Sequence, residues 1–384
     1  MNPGVPLALM QLRKEKKRVA AALAGILFAV ILMLVQLGFQ DALLASAGLH
    51  LRALSADLIL AAPQYQYLIQ GSSFPERRLY QAAADTRVDS ATPLYIGSLP
   101  WKNPRTRDQR IIILLAAPPR HGVFTAADID ANIEKLRDPE AVLYDAKGRP
   151  EFGPVAESIR RGEPVATEVA NRAISVAGLF EIGTTFGIDG SLIASDAAFF
   201  RLLPGYNPGA VSLGLIRLKP GADRSEVRDR LRATLASDVR VYTREDFIAH
   251  EQHYWATNTP IGFLFKLGTG MGLIVGLIIV YQILYTDVME HIGEYATLKA
   301  IGYTDSYLFG VVLQEGLMLS VAGFLPGCLI SMAIYKVTAD ATFLPLAMTW
   351  ERAAMVYGLT LAMCLGAAAL AMRPVRVIDP ADIV

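Results

Sequence analysis

Cysteine is nearly absent: the 384 residues hold two, Cys328 and Cys364, and both fall inside apolar runs. The long polar segment has none, which excludes a disulfide framework there and leaves no thiolate pair for a metal. Charge is also scarce. Asp, Glu, Lys and Arg make up 19% of the chain, below the roughly 25% of soluble globular proteins. The 36 basic and 36 acidic residues cancel, so no global basic field is available to attract nucleic acid. Catalytic signatures are missing too. There is no G-x-x-x-x-G-K-[ST] loop for nucleotide phosphates and no G-x-S-x-G elbow for a serine nucleophile. "HEQHYW" at 250–255 spaces His250 and His253 at i,i+3 rather than the i,i+4 of a zinc helix, with no third ligand evident. Histidine, Tyr254 and Trp255 just before an apolar run fit headgroup depth better than zinc chemistry. The expectation is a chain with no catalytic residues, no metal site and no nucleic-acid partner.

What is abundant is apolar: 53% of residues, with a mean hydropathy of +0.36. The excess is concentrated in four runs, Val19 to Phe39, Ile261 to Tyr285, Tyr307 to Tyr335 and Ala353 to Met372. Each is long enough to cross a hydrocarbon core roughly 30 Å thick. "ASA" at 45–47 imitates a signal-peptidase site. The first run, however, exceeds the usual h-region of about 7–15 residues, so it reads as an uncleaved anchor.

Orientation follows the Lys/Arg bias near span ends. "RKEKKR" at 13–18 carries five basic residues, which places the N-terminus in the cytoplasm. Four crossings return the C-terminus there, beside Arg373 and Arg376. The loop 337–350 then lies outside and holds no Lys or Arg. The segment 286–306 breaks the pattern, since it is inside by parity yet net acidic. The expected layout is a cytoplasmic N-terminus (1–18), a first span (19–40), an outer domain (41–258) and a second span (259–286). A cytoplasmic loop (287–305), a third span (306–336), an outer loop (337–352), a fourth span (353–372) and a cytoplasmic tail (373–384) complete it.

Residues 41–258 are far too many for a connecting loop. "ADLILAA" (56–62), "RIIILLAA" (110–117), "AISVAGLF" (173–180) and "VSLGLIRL" (211–218) read as strands. Segments 75–85, 125–136 and 223–237 read as helices. In the last, Asp223 and Glu226 have capping-box spacing, and Val227, Leu231 and Leu235 form one apolar stripe. Strands interleaved with helices, without a long parallel series, indicate an α+β domain. Pro/Gly-rich stretches at 118–122 and 148–154 suggest a small inserted subdomain near 118–172. The fold class is therefore a membrane α-helical protein of four transmembrane helices, with a large α+β extracytoplasmic domain between the first and second.

Within the spans, small residues recur every fourth position: Gly268, Gly272 and Gly276; Gly323 and Gly327; Ala21, Gly25 and Ala29. Such faces let helix backbones approach closely. Gln314 and Glu315 are polar residues well inside the third run. An isolated carboxyl makes a poor proton relay, so Glu315 reads as a structural hydrogen-bonding group facing protein, a partner or water.

The charged stretch between the second and third runs reads as a short helix over 287–301. Val288, Ile292, Tyr295 and Ala296 share one face, with Lys299 at its edge. Gly302 stands where a left-handed residue would end it, and Thr304 and Asp305 can cap the third span. Acids Asp287, Glu290 and Glu294 disfavour rest on an anionic leaflet. Such a helix suits docking into a groove of another protein.

"EHIGEYATLKAIGYTDSYL" (290–308) resembles the cytoplasmic loop of FtsX/MacB-type ABC transporter permeases, whose general pattern is "rEigilrAiGas". "EYATLKAIGY" is similar to the DevC subfamily, as is "GLFEIGTTFGIDGSLIASDAAFF" (178–200). The ending "RVIDPADIV" (376–384) is similar to the "ldPaeal" close of these permeases. The resemblance spans essentially the whole chain and its order of spans. It implies that the stretch is a coupling helix seated on a separate ATPase subunit, with Glu294, Ala300, Ile301 and Gly302 at the shared motif positions. Glu290, Lys299 and Tyr303 join them as candidate coupling residues. It further implies a homodimer in the bilayer of a bacterial inner membrane, with the large domain in the periplasm. The partners implied are a DevA-like ABC ATPase, a DevB-like membrane-fusion adaptor and a TolC-like outer-membrane channel. ATP and Mg would sit on the ATPase, with no cofactor on this chain. The exported molecule implied is a glycolipid or other amphiphile. Rival expectations are an FtsX-like regulator of cell-wall hydrolases, a lipoprotein-releasing permease, or an extracytoplasmic sensor. A sensor would need a cytoplasmic output domain, and about a dozen residues follow the last span.

Overall fold

A computed structural model describes residues 16–377; the first part of the basic cluster at 13–18 and the close of "RVIDPADIV" lie outside the described residues. The chain divides into two compact units, one of residues 43–259 with 342–345, the other of the remainder.

The second of these holds four long helices, Lys16–Ala47, Pro260–Glu290, Asp305–Thr342 and Trp350–Ala371, here called the first to fourth long helices. Each is long and apolar enough to cross a membrane. All extend past the apolar runs that announce them at one end or both. Backbone i→i−4 bonding does not stop where side chains turn polar, so helices continue into water until a cap or a turn ends them. The core between them is built from Ile26, Val30, Met33, Val280, Leu284, Leu308, Val312, Cys364 and Ala367.

The unit 43–259 is a mixed α+β fold. Its strands are β1 (Leu58–Ala61), β2 (Phe74–Pro75), β3 (Val88–Lys102), β4 (Gln109–Ala116), β5 (Ala141–Asp145), β6 (Val165–Val169), β7 (Arg172–Phe180), β8 (Ser191–Ala194), β9 (Ala210–Val211), β10 (Leu213–Leu218) and β11 (Arg240–Thr243). Nine form one sheet in the order β11-β1-β10-β3-β4-β8-β5-β7-β6, and β2 pairs with β9. The pairs β4–β8 and β5–β7 are parallel and the rest antiparallel.

Both faces of the sheet are covered. Leu58 and Leu60 enter one apolar layer and Ile59 and Ala61 the other. Ile112, Leu114 and Ala116 alternate in the same way with Ile113 and Leu115. That is why "RIIILLAA" is a continuous apolar run rather than an alternating one. The helix Arg224–Thr234 starts as its capping spacing predicts, with the Asp223 carboxylate accepting from the amides of Ser225 and Glu226.

Strand β3 joins the two halves of the sheet. Its first part, Val88 to Leu94, pairs with β10, and its second part, Tyr95 to Lys102, pairs with β4. The segment 118–172, expected as an inserted subdomain, is part of this larger second half: β5 and β6 lie in it, and so does β8, beyond residue 172. The boundaries of that half are set by strand pairing, which Pro/Gly content does not report.

Candidate functional site: the connector between the second and third long helices

The charged stretch does not form one helix over 287–301. The second long helix carries on through Glu290, and a separate connector helix runs Ile292–Ala300. His291 makes the break. Its carbonyl accepts from the amides of Glu294 at 3.0 Å and Tyr295 at 3.1 Å, while its own amide closes the preceding helix on Asp287. Asp287 and Glu290 therefore belong to the last turn of the long helix.

The connector ends as its spacing predicts. Gly302 has φ of 107°, in the left-handed region that favours glycine. The Gly302 amide donates to the Lys299 carbonyl and the Tyr303 amide to the Leu298 carbonyl, both at 3.0 Å. This 5→2 and 6→1 pair is a Schellman ending. It reverses the chain, and Thr304 then opens the next helix by accepting from the amides of Tyr307 and Leu308.

The candidate coupling residues split into two groups. Tyr295 and Ala296 are buried beneath the connector. Glu290 is engaged by Arg18, which also lies 3.6 Å from Asp287; His291 stands 3.6 Å from the same Asp287 oxygen. Lys299 is folded back, its Nζ 3.1 Å from Asp305 and donating to the Val375 carbonyl at 3.1 Å. Their charges brace the turn, although the Glu290 side chain stays 53% exposed. Glu294, Ala300, Ile301, Gly302 and Tyr303 remain exposed at the tip. Ile301 is 71% exposed, and the Tyr303 ring packs on Tyr307 at 4.9 Å. An acid, a bare aliphatic side chain and an aromatic pair on a rigid turn can seat in a complementary groove. Arg18 and Tyr307, which sequence reasoning did not pick out, complete this neighbourhood. The run of basic residues was the available signal for Arg18.

The glycines of the long helices are places of close approach. A Cβ on Gly268 would stand 2.6 Å from Gln36, on Gly272 3.3 Å from Met33, and on Gly276 2.7 Å from the Cβ of Ala29. On Gly323 it would meet Ile26 at 2.5 Å, and on Gly327 Val30 at 2.7 Å. The two glycine faces thus both abut the first long helix. Glu315 is buried within the bundle, whereas its neighbour Gln314 is exposed on the outer face of its helix.

One polar cluster went unread in the sequence. Arg352 is 5% exposed and donates from Nε and Nη2 to Asp41 at 3.0 and 2.7 Å, and from Nη1 to the Ala347 carbonyl at 2.9 Å and to Tyr335 at 3.3 Å. Tyr335 in turn donates to the Leu34 carbonyl. This ties the first, third and fourth long helices together at one end. In "HEQHYW" the middle carboxylate is the structural one. Glu251 is buried and accepts from Tyr65 Oη at 2.7 Å, the Leu68 amide at 3.1 Å and Trp255 Nε1 at 3.2 Å, and burial pushes its pKa up. Among the described residues no group of three or more His, Cys, Asp or Glu side chains is placed to hold a metal.

Residues 267–380 match the model of the FtsX-like permease C-terminal family. The matched segment contains the connector, the third and fourth long helices and most of the second. No curated protein matches the chain. Among solved structures, the periplasmic region of MacB from Actinobacillus actinomycetemcomitans is similar at 8% identity and a TM-score of 0.34, covering 51% of this chain and 92% of that one. The extracellular domain of the noncanonic ABC-type transporter YknZ from Gram-positive bacteria is similar at 10% identity and a TM-score of 0.33, covering 48% of this chain and 99% of that one. The chain thus carries four helices long and apolar enough to cross a membrane, and its segment 267–380 matches the FtsX-like permease C-terminal family.

Proposed function

We propose that this chain is the non-catalytic permease subunit of an ATP-driven ABC exporter of the bacterial inner membrane. The unit 43–259 faces the periplasm, and the connector Ile292–Ala300 receives motion from a separate ATPase. The observation that carries this reading is the exposed, rigidly ended tip Glu294–Ala300–Ile301–Gly302–Tyr303 inside the FtsX-like segment. The chain acts as a homodimer, and the small-residue faces pack each copy's bundle so that displacement at the connector reaches its outer end. The assembly works with a membrane-fusion adaptor and a TolC-like channel, and its cargo is an amphiphile such as a glycolipid, as in DevC-type systems. ATP and Mg are held by the ATPase.

The test is co-purification of the ATPase with variants of the tip. Glu294→Lys sets a like charge against a basic groove, and Ile301→Asp removes the apolar anchor. A reversal worth about 3 kcal/mol weakens binding on the order of 100-fold. Both variants should insert normally, because the long helices are untouched. Retention of the ATPase and of coupled hydrolysis at parental levels in both would refute the coupling role. Reporter fusions at residue 150 and at the C-terminus should report opposite sides of the membrane.

A further inference from the structure

The loop 183–190, "GTTFGIDG", connects β7 to β8. Its base is clamped. The Asp145 carboxylate accepts from the amides of Gly183 at 2.8 Å and Ile182 at 3.3 Å, and from Ser191 Oγ at 3.0 Å. Its tip is open to the surroundings, with Phe186 53% exposed.

The contacts of this loop say where it lies. Phe186, Gly187 and Ile188 line a notch with Leu43 and Ala47, the last turns of the first long helix, and with Trp255. Trp255 sets its ring edge-on to Phe186 at 5.9 Å and stands just before Pro260, where the second long helix begins. Thr184 Oγ1 donates to the Phe343 carbonyl at 3.4 Å, in the segment joining the third and fourth long helices. One loop thus borders all three stretches of chain by which this unit continues into the long apolar helices. Phe343 is 46% exposed and has φ of 59°, an unusual conformation for a bulky residue. Tyr67 stacks on Tyr254 at 4.8 Å and meets the edge of Trp255 at 5.5 Å, which stiffens the platform.

A loop bound to every point of entry into the membrane stands at the lipid-facing end of its unit. Exposed aromatic rings at that end meet the boundary between headgroups and acyl chains, the depth that such rings favour. We propose that loop 183–190 is a lipid-contacting loop: Phe186 and Phe343 insert at interfacial depth in the leaflet beneath the unit 43–259 and seat that unit on the bilayer. This rests on the reading of the long helices as spans with that unit outside.

The experiment uses the full chain in lipid nanodiscs, with Cys328→Ala and Cys364→Ala as background. Nitroxide labels go on Phe186→Cys and Phe343→Cys. Ile274→Cys, exposed on the second long helix, is the lipid reference, and Tyr80→Cys, exposed on the helix Arg77–Ala83, is the water reference. Accessibility to oxygen relative to a water-soluble nickel chelate is read by power saturation. Labels at 186 and 343 should favour oxygen several-fold over the label at 80 and approach the one at 274. If both follow residue 80 while 274 reports lipid, the loop proposal is overturned and the span reading stands. If 274 also reports water, the span reading fails and the proposal with it.

Discussion

The two units of this chain differ in what lies at their tightest packing. In the sheet-based unit the fully buried side chains include the largest of the described residues: Trp101, Phe74, Phe152, Phe180, Phe199 and Phe247. In the helical unit close approaches fall at Gly25, Gly38, Gly276 and Gly323, while Phe263, Leu264, Leu267, Met271, Ile274 and Ile278 point outward. Water drives large apolar surface inward. Lipid removes that drive, because a tail is as apolar as a leucine, and leaves backbone proximity as the source of helix packing.

The sharpest way to break that comparison is to add bulk to a glycine in each unit. Gly276→Leu forces four carbons where even a Cβ would stand 2.7 Å from Ala29, and is expected to cost about 3 kcal/mol or more. Gly205→Leu, in the sheet-based unit, meets open space and should change stability by less than about 0.5 kcal/mol. Thermal unfolding of the detergent-solubilised chain compares them. Equal effects would remove the distinction.

Next in size is a buried group that tests how the sheet-based unit treats charge. His50 is 1% exposed, neither ring nitrogen has a hydrogen-bond partner among the described residues, and burial lowers its pKa from 6.5 to about 4. Below about pH 6.5 the unfolded chain takes up a proton that the folded chain refuses until about pH 4. Stability is therefore lost as pH falls across that window and levels off beneath it, by up to about 3 kcal/mol. Glu251 and Asp145, pushed up by burial, act in the other direction: their protonated forms favour the fold, a contribution lost as pH rises through their folded values. The informative quantity is thus the difference between parent and His50→Gln. Amide exchange in β1 and β4 should show a smaller acid loss in the variant; identical profiles would mean His50 is not held neutral.

In the helical unit the matching test is Asp41→Ala, which leaves the Arg352 guanidinium buried with its Tyr335 and Ala347 contacts alone. Asp41 is half exposed, so the loss should be about 2 kcal/mol rather than the 3–5 of a fully buried pair. The double variant Asp41→Ala/Arg352→Leu should recover part of it, and a double variant no better than the single one would argue against an uncompensated charge. The smallest effect is expected at the surface of the sheet. Glu168 bridges Lys102 and Arg107, yet all three are partly solvated, so Glu168→Gln should cost under about 1 kcal/mol and less in high salt.

Much of this arrangement is legible in the sequence. Four apolar runs announce the long helices, and Asp223 and Gly302 mark a helix start and a helix stop, because caps and left-handed glycines are decided within a few residues. Strand β3 is not legible. Pro93, Gly97 and Pro100 read as turn signals, yet the strand accommodates them: Pro93 faces Gly214 across the ladder, and Gly97 makes room for the Leu203 side chain, which would lie 2.6 Å from a Cβ there. The break at His291 was missed for a related reason. The polar run 287–301 reads as one helix, although the second long helix runs on through Glu290 and the connector starts anew at Ile292.

The sequence by itself determined which segments are long and apolar enough to cross a membrane and where the connector ends, since hydropathy and local backbone preference act over short windows. Tertiary structure decided which charges stay available. Lys299 is taken by Asp305 and Val375, and Glu290 by Arg18, leaving Glu294 exposed at the tip. It also brought Asp41 to Arg352 across 311 positions and gathered three chain entries onto the loop 183–190. No local pattern encodes those meetings, because each depends on the path of the whole chain between its partners.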